Sequence, residues 1–174
     1  GMHFNPYGES LVSNKKKIRL EMADSDPRHD QLFSLTWTLA IFIQSINKES
    51  KFFTFNSIYG HHGILNKDNT KRPLYHLNNF LISLSNSEIF KFNPIKEVYG
   101  LKILLNDKKY YLFVNSSKQK KEINIPELNF SHQYKLNLKN YTDIFNNDFS
   151  FFNFKKDTNP YAFEPLEIKF IEDK

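Results

Sequence analysis

Between Leu32 and Ile46 the side chains Leu32, Leu35, Leu39, Phe42, Ile43 and Ile46 recur at steps of three and four. Phe33, Trp37, Ala40 and Ile41 widen that stripe well beyond one face. A helix this apolar has to be covered on more than one side, so it cannot stand as a lone surface element. Its predicted span is 26–49. Asp26 is the N-cap, Pro27 follows where a missing amide hydrogen is tolerated, and Asp30 suits the positive end of the helix dipole.

The segment Lys51–Ile58, rich in aromatic and β-branched residues, reads as a strand that ends at the loop Tyr59-Gly60-His61-His62-Gly63. A second helix is predicted over Pro73–Ser85, with Leu74, Leu77, Leu81 and Leu84 on one face. Beyond residue 89 the helical period gives way to short alternating segments. Val98–Leu105 and Tyr110–Asn115 flank Asn106-Asp107-Lys108-Lys109 and form the clearest hairpin. Glu122–Ile125, Gln133–Leu138, Phe149–Phe154 and Phe163–Ile171 follow as further strands of an antiparallel sandwich. The fold class expected is α+β: an N-terminal helix-strand-helix segment packed on a C-terminal antiparallel β-sandwich. The division falls in the stretch Phe90–Lys96, where Asn93-Pro94 breaks the chain, giving units 1–92 and 93–174.

With 174 residues the chain is too short for a complete eight-fold β/α barrel, which takes roughly 200–250 residues. The absence of Cys excludes disulfide scaffolds, thiolate metal sites and cysteine nucleophiles. The net charge of +5 is a weak pointer to an anionic partner, since many Lys neighbour Glu or Asp. Lys15, Lys16 and Lys17 have no interleaved aromatics and read as a solvated segment, whereas the run Lys118-Gln119-Lys120-Lys121 after a strand reads as a hairpin turn whose Lys residues discourage edge pairing. No apolar run approaches the ~18 residues of a membrane span. Gly1 ahead of Met2 reads as the remnant of a cleaved tag, and the N-terminus lacks the pattern of a secretion signal, which leaves the cytoplasm as the default.

His61, His62 and His76 invite a metal reading, but no HExxH spacing or matching acidic cluster accompanies them. His61 and His62 read instead as part of a polar loop held by Gly60 and Gly63, with His76 on the helix that follows. Asp68, Asp107, Asp143, Asp148 and Asp157 lie among turn-forming residues, and no carboxylate pair of the kind glycoside hydrolysis needs stands out. Serine-nucleophile, phosphate-loop and dinucleotide motifs are absent. No cofactor and no metal is implied.

The succession Phe4-Asn5-Pro6, Asp26-Pro27-Arg28-His29-Asp30-Gln31-Leu32-Phe33, Leu35-Thr36-Trp37-Thr38-Leu39, Phe53-Thr54, Gly60, Gly63-Ile64 and Pro73-Leu74-Tyr75-His76 resembles the C-terminal part of sugar-active barrel enzymes, most closely the D-apionolactonase-like family. The resemblance covers roughly residues 4–84. It implies the last βα units of a glycosidase-type barrel followed by a β-sandwich. This sequence departs from the family at His29, which replaces a Gln. It departs again at Asn56-Ser57-Ile58-Tyr59, where the family carries an acidic residue. The principal catalytic carboxylates of related barrels come from earlier strands that this chain does not contain.

In a completed barrel the end of the last strand faces the active site. Thr54, Asn56, Tyr59, His61 and His62 are then the residues expected to contact a sugar or sugar-acid derivative, Tyr59 offering a ring face and a hydroxyl. The chain is expected to be the C-terminal portion of a carbohydrate-active hydrolase, not catalytic alone. Its apolar helix would be covered by the β domain and by self-association or an N-terminal barrel portion. The alternative is a stand-alone carbohydrate- or protein-binding sandwich using exposed aromatics such as Tyr110, Tyr111 or Tyr161. Nucleic-acid binding ranks last.

Overall fold

The computed structural model describes residues 28–46, 57–60, 62–125, 128, 130–142, 155–156 and 159–173. The elements run α1 (Leu32–Ser45), β1 (Ser57–Tyr59), β2 (Gly63–Leu65), α2 (Pro73–Ser83), a 3₁₀ turn (Leu84–Asn86), β3 (Glu88–Lys91), β4 (Val98–Leu105) and β5 (Lys108–Asn115). β6 (Lys121–Glu122), β7 (Phe130–Leu136), β8 (Lys155–Lys156), β9 (Ala162–Phe163) and β10 (Glu167–Asp173) complete the order. The fold is α+β with a partial barrel piece. A six-stranded antiparallel sheet has the order β3-β4-β5-β10-β7-β8, beside a parallel pair β1-β2 and a ladder β6-β9.

The hairpin is the tightest local agreement between sequence and structure. β4 and β5 pair from Val98↔Asn115 to Leu105↔Lys108. Asn106 and Asp107 take φ of 50° and 62°, the left-handed pair that a two-residue turn matched to strand twist requires. The loop is therefore shorter than the four residues expected.

Other boundaries move for physical reasons. α1 starts at Leu32, with Gln31 as its cap, so Asp30 lies ahead of the helix and not in its first turn. Asp26 and Pro27 lie outside the described residues. Ser34 Oγ donates to the carbonyls of His29 and Gln31, both at 2.8 Å, and stabilises the turn that precedes the helix. α2 begins at Pro73 as expected and tightens into a 3₁₀ turn at Leu84. The expected strand Phe163–Ile171 is two strands in different sheets. Leu166, at φ 52°, turns the chain between them, and its amide donates to Ser117 O at 3.1 Å. Only Lys121–Glu122 of the next region joins a ladder, while Ile123 and Ile125 leave it to bury their side chains. β7 ends at Leu136, because Asn137 and Asn140 cap a turn that leaves Leu138 in solvent. β2 and β3 were not anticipated, and Phe149–Phe154 lies outside the described residues.

The sheet has two covered faces. On one, Leu101, Ile103, Leu112, Val114, Leu136, Ile168 and Phe170 pack with Leu32, Leu35, Leu39 and Ile43 of α1 and with Leu74 and Leu77 of α2. On the other, Val98, Tyr111, Phe113 and Ile171 pack under Phe163, Ile123, Ile125 and Leu128. The strict alternation of β5, Leu112 and Val114 to one side and Tyr111 and Phe113 to the other, is what the pleat dictates. α1 is thus sealed by the sheet and α2, but Trp37 remains 42% exposed on its outer side. No helix among the described residues is long and apolar enough to cross a membrane.

Candidate functional site

The strand-and-loop unit at β1 and β2 is shaped by two glycines. β1 and β2 run parallel, in register Ser57↔Gly63 and Tyr59↔Leu65, and only residues 60–62 connect them. Such a short link forces the backbone back on itself. Gly60 takes φ +95°, and the Gly63 amide donates to Gly60 O at 2.9 Å. A Cβ on Gly63 would fall 2.4 Å from the carbonyl carbon of Tyr59. No other residue type fits there.

Behind this loop the chain builds a polar wall. Asn66 Nδ2 donates to Thr70 Oγ1 at 2.7 Å, and the Thr70 amide and hydroxyl donate to Asp68 Oδ1 at 3.0 and 2.7 Å. Those bonds hold the Asp68 carboxyl below its ordinary range. Arg72 Nε donates to Asn66 Oδ1 at 2.7 Å and lies 3.5 Å from Asp30 Oδ1. Gly60, Asn66, Lys67, Asp68 and Arg72 line an open groove of about 370 Å³.

A second ring of contacts fixes the start of α1 against this wall. His29 Nε2 donates to Gly63 O at 3.3 Å, and its ring meets that of His62 edge-on at 6.4 Å. Burial, then the neighbouring Arg72 charge, pushes the His29 pKa down, which keeps the imidazole neutral. Tyr141 Oη donates to Asp30 O at 2.6 Å and ties the turn after β7 to the entry of α1. Burial, aided by Asp30, pushes the Tyr141 hydroxyl well above its ordinary range, so it stays a donor.

Of the five residues expected at the site, Tyr59 and His62 are described. Tyr59 is 61% exposed at the end of β1, and His62 sits in the loop beside His29. Thr54, Asn56 and His61 lie outside the described residues. Sequence reasoning passed over His29, Asp30, Asn66 and Arg72 as site residues. His29 was visible as the position that breaks the family motif. The Asp30–Arg72 pairing joins residues 42 apart and had no local signal. Two aromatics expected to be exposed on the β domain are not: Tyr111 is buried, and Tyr110 stacks on Phe170 at 5.3 Å. Tyr161 does reach solvent. Among the described residues no group of three His, Asp or Glu could hold a metal ion.

Residues 1–86 match the family model of the D-apionate lactonase TIM barrel domain. No curated protein matches the chain. Among solved structures, the chain is similar to a glycoside hydrolase family 30 subfamily 8 xylanase from Clostridium acetobutylicum at 12% identity and a TM-score of 0.51. That likeness covers 89% of this chain and 41% of the xylanase, so the chain spans about two fifths of that enzyme's length. A family 30 endoxylanase from Clostridium papyrosolvens C71 is matched at 10% identity with a TM-score of 0.46, over 88% of this chain and 40% of that one. The likeness to the first xylanase concerns the fold and runs across both the helical piece and the sheet. The chain resembles part of a glycosidase-type barrel enzyme, and its first 86 residues are similar to the D-apionate lactonase barrel family.

Proposed function

We propose that this chain is the C-terminal portion of a carbohydrate-active hydrolase-like protein, completing and buttressing a barrel without turning over substrate alone. The observation that carries this reading is the state of β1. Ile58 and Tyr59 are 62% and 61% exposed on a parallel pair of three-residue strands. Parallel strands are ordinarily buried on both faces, and a barrel strand needs a neighbour on each side. Further barrel polypeptide alongside β1 would cover both side chains. Tyr59 and His62, with Thr54, Asn56 and His61, would then face the reaction chamber and contact a sugar or sugar-acid derivative. Among the described residues lining the groove beside the loop Asp68 is the one carboxylate, whereas glycoside hydrolysis of the usual kind takes two.

The test is activity of the chain alone, and of the chain joined to the earlier strands of a D-apionate lactonase barrel, on sugar lactones, aryl glycosides and xylan. The chain alone is expected to be inactive and the joined protein active. Tyr59→Ala should raise KM in the joined protein. Turnover by the chain alone would contradict the proposal.

A second reading, a binding module on the β domain, is favoured by the exposed ring of Tyr161.

A further inference from the structure

We infer that the β domain carries its own saccharide-binding groove, on the sheet face away from the helices, with Tyr161 as its stacking platform. The groove is a depression of about 490 Å³ lined by Lys96, Glu122, Ile123, Asn124, Asn159 and Tyr161. Its volume lies within the ~300–1,000 Å³ usual for small-ligand sites. A smaller recess of about 240 Å³, walled by Phe92 and Phe113, shares Ile123 and Asn124 with it. The two recesses adjoin at those residues, the smaller lined mainly by apolar side chains and the larger mainly by polar ones.

Both walls are fixed more firmly than a surface loop requires. Asn159 Oδ1 accepts from the amides of Tyr161 and Ala162 at 3.0 and 3.2 Å, and Tyr161 O accepts from the Ile123 amide at 3.0 Å. Beneath them lies Lys169, 1% exposed, whose Nζ donates to Asn159 O. The same ammonium sits 4.9 Å over the Phe163 ring and 3.6 Å from Glu167 Oε1, while Glu167 Oε2 accepts from Asn137 Nδ2 at 2.8 Å. Burying a charge is costly unless it is well paired. Here the buried ammonium anchors the carbonyl two residues before Tyr161. On the facing wall Lys96 and Glu97 hold φ of 51° and 66°, unfavourable for these residue types. Lys121 Nζ contacts Glu97 Oε2 at 2.8 Å, and Lys96 Nζ donates to Glu122 O at 3.3 Å. A rigid aromatic between two braced walls is a pre-organised site.

The chemistry selects the ligand class. A sugar ring offers an apolar C–H face to an aromatic ring, and a rim of hydroxyls that both donate and accept. Tyr161, 37% exposed, supplies the face. The side-chain amide of Asn124 supplies a donor and an acceptor together, Glu122 an acceptor and Lys96 a donor, while Asn159 shapes the wall that holds Tyr161. Among the described lining residues one cation, Lys96, stands beside one anion, Glu122, whereas a phosphate backbone needs several cations. An uncharged oligosaccharide is the occupant that uses every group present.

The experiment is native affinity electrophoresis of the full chain in gels containing soluble arabinoxylan, glucomannan or mixed-linkage β-glucan. At least one is expected to retard it. Tyr161→Ala should weaken that retardation about tenfold, equivalent to ~1.4 kcal/mol. Tyr161→Phe, which keeps the ring, should stay within about threefold, a difference well below 1.4 kcal/mol. Asn124→Ala, at an exposed position, should weaken it without altering the fold. No retardation by any of the three, or equal retardation of Tyr161→Ala and the unaltered chain, would overturn the inference. The gel reads binding alone, so its failure leaves the barrel reading standing, and turnover by the chain alone leaves this groove standing.

Discussion

β1 and β5 are made from similar residues and end in opposite surroundings. Ser57-Ile58-Tyr59 lies open to solvent, whereas Tyr111-Leu112-Phe113-Val114 is buried on both faces. β5 has antiparallel partners on both sides, β4 and β10, with helices above and the β6–β9 layer below. Among the described residues β1 has one partner, the three-residue β2. The contrast teaches that a strand's hydrophobic residues stabilise it only where neighbours remove them from water. In this chain the β domain supplies its own neighbours, whereas among the described residues β1 is left largely in solvent.

Substitutions in the two regions should separate accordingly. Leu112→Ala, at the centre of the core shared by the sheet and helices, should lower unfolding free energy by about 2–5 kcal/mol in denaturant titration. Tyr141→Phe removes the bond to Asp30 O that joins the β domain to the entry of α1, and should cost about 0.5–1.5 kcal/mol. Ile58→Ser, at an exposed position, should stay within about 0.5 kcal/mol in the chain alone. A large loss at Ile58 would mean that β1 is already covered and would erase the contrast.

The same division has a pH signature. His29, in the barrel piece, has a native pKa below 6.5, so the unfolded chain binds its proton first as pH falls. Its contribution is present above pH 6.5 and is lost as pH drops toward the native value. Thermal midpoints measured from pH 8 to pH 5.5 should fall less in His29→Gln than in the unaltered chain. Glu167, in the β domain, acts with the opposite sign. Burial raises its native pKa above 4.5, so its contribution is present below 4.5 and is lost as pH rises through the native value. Glu167→Gln should flatten that loss.

Local chemistry was legible wherever it is decided within a few residues. Asn106-Asp107 marked the hairpin, Pro73 the start of α2, and Gly60 and Gly63 the loop after β1. Asp68 was read as a turn residue, and it accepts from Thr70 two positions on. What escaped was set by distant partners. Tyr110 and Tyr111 resemble Tyr161 in sequence, yet Phe170 covers the first and the second core the other. The candidate site suffered likewise, since Asp30, Arg72 and Tyr141 meet only because α1, α2 and the turn after β7 converge.

The sequence by itself determined the two periodicities, the hairpin and the glycine loop, because each follows from side-chain spacing or from a single residue's backbone freedom. Only the tertiary structure decided which aromatic stays in solvent, that Asp30 leaves the helix to face Arg72, and that a buried Lys169 anchors the loop bearing Tyr161. Burial and charge pairing are properties of what surrounds a group, and that is fixed when elements far apart in the chain pack together.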